Sequence, residues 1–201
     1  MGEFYLVTGG VKSGKSLFAE RLALSSDKKV IYLATATIGD KEMALRVERH
    51  KKRRPPQWET IEEPVAVPGV LTAQSDPGRL VLVDCLALYL SNLLLKEGLA
   101  ANGKVFTFTP DKESYLTGCL EDLCTAISRS WADVIVVTNE VGWGLVPEYP
   151  LGRVYRDLLG VWNQRLAAMA NRVYLVVCGL ALEVKALSGC PATNRSLPAG
   201  N

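Results

Sequence analysis

The sequence predicts an α/β fold in which a mostly parallel sheet carries helices on both faces. Five short runs are almost continuously Val, Ile and Leu, which is typical of strands buried on both faces. Segments of helical periodicity fall between them, so strands and helices alternate along the chain. The predicted strands are Phe4–Thr8, Val30–Ala34, Leu80–Asp84, Val134–Thr138 and Val173–Cys178.

The predicted helices separate these strands, and they are Ser16–Leu24, Lys41–Arg53, Leu86–Lys96, Asp111–Trp131 and Leu151–Asn171. In such a doubly wound sheet, ligands bind at the carboxyl ends of the strands. Residues 1–187 are therefore expected to form a single domain. Residues 188–201 are rich in Gly, Pro, Ser and Asn and are expected to form a loose C-terminal tail. Residues 98–110 are expected to form an exposed insertion or edge element.

Composition narrows the class of protein further. A formal net charge of +2 on 201 residues is too small to indicate a nucleic-acid partner. The most apolar stretch is interrupted by Asp84, Ser91 and Asn92, so no stable membrane insertion is expected. The N-terminus has no basic leader, and the five cysteines match no zinc or redox spacing. A cytoplasmic protein with reduced thiols is the expectation.

A phosphate-binding loop follows the first predicted strand. The sequence from Gly9 to Ser16 matches G-x-x-x-x-G-K-[ST] at every fixed position, and a predicted helix follows it. Backbone N–H groups of such a loop cradle phosphates, the Lys15 ammonium reaches the β- and γ-phosphates, and the Ser16 hydroxyl binds Mg²⁺. A glycine turn that binds nothing is disfavoured because strand, loop and helix occur in order. The predicted cradle comprises Gly9, Gly10, Val11, Lys12, Ser13, Gly14, Lys15 and Ser16.

This loop makes the predicted fold a P-loop NTPase-type, RecA-like one. A second candidate, Asp84, ends an apolar predicted strand. Such a carboxylate can bind Mg²⁺ together with Ser16, or accept a proton beside the loop. The alternative is that Asp84 caps the helix that follows. The position at the ligand-binding edge of the sheet favours the catalytic interpretation.

The only histidine, His50, lies on a strongly basic predicted helix. Helical spacing places Arg46 and Arg53 on its face, and neighbouring cations favour a neutral imidazole. A neutral imidazole is a nucleophile, and the cations can hold a triphosphate for it to attack. A solvated basic helix with an incidental histidine explains the same residues, and chemistry alone favours that interpretation.

Several stretches resemble the bifunctional adenosylcobinamide kinase/adenosylcobinamide-phosphate guanylyltransferase family of cobalamin biosynthesis. The resemblance covers about residues 3–187 and reverses the preference for an incidental histidine. The P-loop is shared by many families, whereas the histidine-bearing stretch and the Thr-Asn-Glu-Val-Gly stretch are far more specific. The matching stretches are Thr8–Ser16, Tyr32–Ala36, Asp40–Ala44, Arg46–Pro55, Trp58–Glu62, Val137–Glu148 and Gly160–Ala167.

The resemblance implies two reactions. Adenosylcobinamide is phosphorylated with ATP or GTP, and GMP from GTP is then attached to that phosphate, giving adenosylcobinamide-GDP and pyrophosphate. In the family a histidine carries GMP covalently, and His50 is the matching position. Glu62 matches a carboxylate that recognises guanine, with adjacent Glu63 as the alternative. The resemblance also implies a homotrimer. The expected nucleotide site further includes Thr37, Lys51, Lys52, Arg53, Arg54 and Asp84.

Three other classes compete with this interpretation. A monofunctional small-molecule or nucleoside kinase explains the P-loop and Asp84 but not His50 on its basic segment. A GTPase-like switch lacks its Asn-Lys-x-Asp guanine motif, since Thr138-Asn139-Glu140 is not one. A nucleic-acid binder would use the basic segment, but no aromatic platform accompanies it.

Overall fold

The computed structural model describes residues 1–37, 48, 51, 54–96 and 107–187. Within these residues, seven strands form one sheet in the order β3-β2-β4-β5-β1-β6-β7. Strands β1 to β6 are parallel, and β7 pairs antiparallel with β6. The strands are β1 (Phe4–Thr8), β2 (Lys29–Ala34), β3 (Glu59–Glu62), β4 (Arg79–Asp84), β5 (Asp133–Val137), β6 (Arg172–Val177) and β7 (Leu180–Glu183).

Six helices accompany the sheet in the described residues. Proline occupies the first position of the two longest helices, where its missing N–H costs no helical hydrogen bond. Among the described residues, no helix combines the length and apolar character required to cross a membrane. The helices are α1 (Lys15–Leu24), α2 (Val67–Ala73), α3 (Leu86–Lys96), α4 (Pro110–Arg129), α5 (Pro150–Met169) and α6 (Val184–Leu187).

The predicted fold class is confirmed, and all five predicted strands are present with ends within one residue of the predicted ones. Four of the five predicted helices are also present, although the predicted ends at Trp131 and Asn171 lie two residues too late. The fifth, predicted for residues 41–53, lies outside the described residues except for Glu48 and Lys51, which are helical. Residues 97–106 and 188–201, and with them the expected insertion and tail, also lie outside the described residues, and Pro110 begins α4.

Four elements were missed, and their composition explains why. Strand β3 reads Glu-Thr-Ile-Glu and lies at the edge of the sheet, mostly exposed, so it carries no apolar run. Strand β7 is the opposite edge, and its four residues are too few to show a strand pattern. Helices α2 and α6 have seven and four residues, too few for a periodic pattern to be detected.

Strand register brings the ends of three strands into one row. Ala34 at the end of β2 pairs with Asp84 at the end of β4 and with Glu62 at the end of β3. Residues paired in register on adjacent strands lie side by side on one face of a sheet. The loop that follows β1 opens at the same edge, because β1 runs parallel to β5, whose end pairs with Asp84.

A buried amide ties two of these strand ends to helix α3. The side chain of Asn92 donates hydrogen bonds to the carbonyl oxygen of Thr35 at 2.7 Å and to that of Pro64 at 3.1 Å. Thr35 follows β2 and Pro64 follows β3, so one side chain fixes the two connections relative to each other. Asn92 is only 8% exposed, which removes water as a replacement partner.

Replacing Asn92 by Leu should lower the free energy of unfolding by ~2–4 kcal/mol, because two carbonyl oxygens lose their donor in a buried setting. Urea denaturation followed by circular dichroism measures this change. Lys96→Ala at the exposed end of the same helix serves as the control and should stay within ~0.5 kcal/mol of the parent protein. An Asn92→Leu protein as stable as the parent would show that these bonds do not hold the two connections.

Candidate functional site

The phosphate-binding loop is formed between β1 and α1 as predicted. Gly9 and Gly14 have φ angles of 147° and 101°, and Lys12 has a φ of 56°, so the loop curls through conformations that favour glycine. Lys15 is 7% exposed, and its ammonium donates a hydrogen bond to the carbonyl oxygen of Gly10 at 2.7 Å. The lysine is therefore folded back across its own loop, where a phosphate would meet it.

Neighbouring connections hold the loop in place. The carbonyl oxygen of Gly9 accepts from the N–H of Glu140 at 3.0 Å, and that of Ser13 accepts from the N–H of Gly179 at 2.8 Å. A Cβ atom on Gly9 would stand 2.3 Å from the carbonyl oxygen of Val176. Strand β6 thus packs so closely on the loop that a side chain at Gly9 has no room.

Two hydroxyl groups beside the loop are buried and lack a hydrogen-bond partner among the described residues, namely those of Thr8 and Ser13. Buried polar groups are ordinarily paired, and unpaired ones tend to mark places where a ligand completes the set. Together with the backbone donors of the loop, they fit the oxygen atoms of a bound phosphate.

Asp84 ends β4, and its carboxylate oxygen Oδ2 accepts a hydrogen bond from the Tyr32 hydroxyl at 2.5 Å. The first N–H groups of α3, those of Ala87 and Leu88, instead face the thiol of Cys85. Burial is the main cause that raises the pKa of this thiol to about 12, so it stays protonated. The contacts within the described residues therefore give the capping alternative for Asp84 no support.

A pocket of about 390 Å³ lies beside β2 and β3. Its volume is within the range of small-molecule sites. The Lys51 ammonium lies 2.5 Å from the Glu62 carboxylate in its wall. The Glu63 carboxylate accepts from the N–H groups of Val65 and Ala66, at 2.9 and 2.8 Å. The pocket is lined by Lys51, Arg54, Pro55, Pro56, Trp58, Thr60 and Glu62.

Arg54 is held over an aromatic ring in this pocket. Its guanidinium carbon lies 3.4 Å from the centroid of the Tyr32 ring, and Trp58 stacks on that ring with centroids 6.5 Å apart. The Nε and Nη1 groups of Arg54 are buried and have no hydrogen-bond partner among the described residues. A positioned cation with donors to spare is suited to an anion such as a phosphate.

The remaining predicted residues divide into two groups. Thr37 follows β2 at the same edge, and its hydroxyl lies 3.4 Å from Oδ1 of Asn92. His50, Lys52 and Arg53 lie outside the described residues. Among the residues that sequence analysis did not select, Tyr32 stands out, because it contacts both Asp84 and Arg54.

The residues available for Mg²⁺ are Ser16 of the P-loop and Asp84 at the end of β4. No group of three or more His, Cys, Asp or Glu side chains in the described part of the chain is arranged to hold a metal ion. Magnesium bound with nucleotides typically needs only one or two protein oxygens, with phosphates and water completing the shell. The Ser16 hydroxyl and the Asp84 carboxylate are of this kind, so the donor set fits.

The fold and the site define a P-loop nucleotide-binding protein. The chain belongs to the cobinamide kinase/cobinamide phosphate guanyltransferase family, whose model matches residues 5–184. It is thus a bifunctional enzyme that acts as a kinase and as a guanylyltransferase. The predicted family is confirmed.

Three curated relatives agree with this membership, and the chain matches each over 180 residues, which is 90% of its length. The bifunctional adenosylcobalamin biosynthesis protein CobU of Escherichia coli (strain K12) is 40% identical and 98% covered. The corresponding CobU of Salmonella typhimurium (strain LT2) is also 40% identical and 98% covered. The corresponding protein CobP of Pseudomonas aeruginosa is 41% identical and 96% covered.

Solved structures support the fold alone. The chain is similar to an ATPase of the type III secretion system of pathogenic bacteria, with a TM-score of 0.55 and 14% identity over 91% of this chain and 57% of that one. It is also similar to the ATP synthase subunit NeqB of Nanoarcheaum equitans, with a TM-score of 0.50 and 14% identity over 94% and 53%. Both similarities agree with the fold class that the sequence predicted.

Replacing Gly9 by Ala should lower the free energy of unfolding by ~3 kcal/mol or more, because the added Cβ collides with the Val176 carbonyl in a backbone conformation that alanine rarely adopts. Gly10→Ala is the matched control, since a Cβ there meets nothing within 4 Å, and its stability should change by less than ~1 kcal/mol. Thermal unfolding without nucleotide compares the two. Equal stabilities would mean that the loop is not packed against β6 as described.

Proposed function

We propose that the chain phosphorylates adenosylcobinamide with ATP or GTP and then transfers GMP from GTP to adenosylcobinamide phosphate through a histidine-GMP intermediate on His50. The products of the second reaction are adenosylcobinamide-GDP and pyrophosphate. The main support for the proposal is the placement of two features at the same edge of the sheet, a P-loop and a separate cationic pocket. Asp84 lies between them. A monofunctional kinase has use for the first of these and none for the second.

For the kinase reaction, the proposal assigns the γ-phosphate to the loop from Gly9 to Ser16. Lys15 would exchange its bond to the Gly10 carbonyl for the phosphate oxygen atoms, since its ammonium already lies inside the loop. Ser16 and Asp84 would hold Mg²⁺, which neutralises charge on the phosphates when bound. Asp84 can also accept the proton of the substrate hydroxyl, because the end of β4 lies at the same edge of the sheet as the loop.

For guanylyl transfer, the proposal assigns the nucleophile to His50, which directly precedes Lys51 in the sequence. Its neutral imidazole nitrogen forms a bond to the α-phosphorus of GTP while the bond from that phosphorus to the pyrophosphate oxygen breaks. A phosphate oxygen of adenosylcobinamide phosphate then attacks the same phosphorus, and the N–P bond breaks to regenerate imidazole. Lys51 and Arg54, with Lys52 and Arg53, would offset the negative charge on the phosphoryl oxygens.

Base recognition is assigned to Glu62. A carboxylate can accept from both N1–H and the 2-amino group of guanine, a pattern that adenine lacks. Glu62 lies in the wall of the pocket, where it pairs with the exposed Lys51 ammonium, whereas Glu63 does not line the pocket and accepts from two backbone N–H groups. Glu62 is therefore the better placed of the two candidates. Thr37 remains a proposed contact at the same edge.

The setting of the enzyme is also proposed. We infer a cytoplasmic enzyme, in keeping with the absence of a disulfide among the cysteines that the structure describes, namely Cys85, Cys119, Cys124 and Cys178. Assembly as a homotrimer stays a prediction from the family resemblance. The small-molecule partners are adenosylcobinamide and its phosphate, without nucleic acid and without stable membrane insertion.

His50→Ala should abolish covalent labelling by GTP, because the chain contains no second histidine to carry GMP. Intact-mass spectrometry after incubation with GTP and Mg²⁺ should show one added GMP on the parent protein and none on the variant. Kinase turnover, followed by formation of adenosylcobinamide phosphate, should be largely retained, since γ-phosphoryl transfer needs the P-loop, Mg²⁺ and Asp84. An adduct that persists in the variant, or one that maps to Lys51, would rule out His50. A parent protein that never forms the adduct would rule out the covalent intermediate.

Glu62→Gln should reduce the preference for GTP over ATP in nucleotidyl transfer by ~10-fold or more, because an amide presents a donor where guanine needs an acceptor. The measurement is the ratio of kcat/KM for the two nucleotides. Glu63→Gln is the matched control, since its remaining carbonyl oxygen can still accept from Val65 and Ala66, and its ratio should match the parent. A reversed outcome, with only Glu63→Gln losing the preference, would move the guanine contact to that residue.

A further inference from the structure

We propose that Tyr32 is a positioning residue that links the two halves of the site, orienting the Asp84 carboxylate through its hydroxyl and the Arg54 guanidinium through its ring. The inference rests on the proposed function, because it takes Asp84 as part of the kinase centre and Arg54 as part of the nucleotide pocket. Neither the P-loop pattern nor the basic segment pointed to Tyr32, which lies inside a buried strand.

The strand register explains how one side chain reaches both. Tyr32 lies two residues before Ala34, so the two side chains share a face of the sheet. Ala34 pairs with Asp84, which makes Tyr32 and Asp84 diagonal neighbours on that face. The side chain between them is a single methyl group, and the phenol extends past it to Oδ2 of Asp84 at 2.5 Å.

The hydroxyl donates to this carboxylate from a buried position. Tyr32 is only 1% exposed, so water does not compete for the hydrogen bond. A neutral donor on Oδ2 fixes the rotation of the carboxylate without cancelling the charge that Mg²⁺ requires.

The ring of the same residue holds the cation. The guanidinium carbon of Arg54 lies 3.4 Å from the ring centroid, while the indole of Trp58 stacks on the ring with centroids 6.5 Å apart. Contact through the π-face uses none of the N–H donors of the guanidinium. Nε and Nη1 are indeed buried without a partner in the described part of the chain. The ring fixes where the cation stands and leaves its donors for an anion.

Two substitutions separate these roles. Tyr32→Phe removes the hydroxyl and keeps the ring, so kinase kcat should fall about tenfold and the Mg²⁺ concentration for half-maximal rate should rise, while GTP affinity stays within about threefold. Tyr32→Leu also removes the ring, so the dissociation constant for GTP should increase by a further ~3- to 10-fold. Tyr89→Phe is the control, a buried tyrosine packed on Trp162, and it should change none of these quantities.

Double variants distinguish positioning from packing. If Tyr32 acts through Asp84, adding Tyr32→Phe to an Asp84→Asn enzyme should not slow the kinase further. If Tyr32 acts through Arg54, adding Tyr32→Leu to an Arg54→Ala enzyme should not weaken GTP binding further. Additive losses in both pairs, or a Tyr32→Phe enzyme with parental rate and Mg²⁺ dependence, would overturn the inference. Failure of the proposed function gives a different result, namely a parent protein that forms no GMP adduct. The kinase and GTP-binding measurements on the Tyr32 variants would still test the role of Tyr32 in that case.

Discussion

The in-register pairing of β2 with both β3 and β4 is the constraint on which the site depends. This register sets Asp84, Ala34 and Glu62 side by side across three strand ends. A shift of one residue in β2 would turn Tyr32 to the opposite face of the sheet, because side chains alternate along a strand. Asp84 would then lose its hydrogen-bond donor, and Arg54 would lose the ring beneath it. The positions of the site residues at the strand ends therefore depend on the backbone hydrogen bonds that fix the register of the sheet.

The register is fixed in turn by burial. Strands β2, β4 and β5 are apolar on both faces. A shift in their register would disrupt the close packing of buried side chains along the whole length of these strands. Strand β3 has no such protection, because it is polar and lies at the edge. Its end is secured from outside the sheet, by the Asn92 amide, which bonds to the connection after β3 and to that after β2. The weakest strand of the site is thus held by a buried polar contact.

Prediction from sequence succeeded where a local pattern carries the information. Continuous apolar runs identified the five inner strands, and the fixed positions from Gly9 to Ser16 identified the P-loop together with the helix after it. It failed for β3 and β7, where an edge strand needs only a short and partly polar sequence. It also failed for Tyr32, because an aromatic residue in a strand is ordinary for β-propensity. Its importance arises from a diagonal contact across two strands, which no spacing within one segment reveals.

The spacing of the two halves suits one nucleotide bound at both ends. Strand β1, which bears the P-loop, is separated from β3, which bears Glu62, by β5, β4 and β2, and four interstrand spacings amount to ~19 Å. Phosphates held at the loop and a base held in the pocket would belong to opposite ends of one extended molecule. Asp84 lies on β4, between these ends, where the phosphates nearest the sugar would pass. On this arrangement the two reactions would differ in which phosphorus of the same bound nucleotide is attacked. The strands between the P-loop and the cationic pocket set the distance between them. Strand order would therefore determine the length of the molecule that can bind at both.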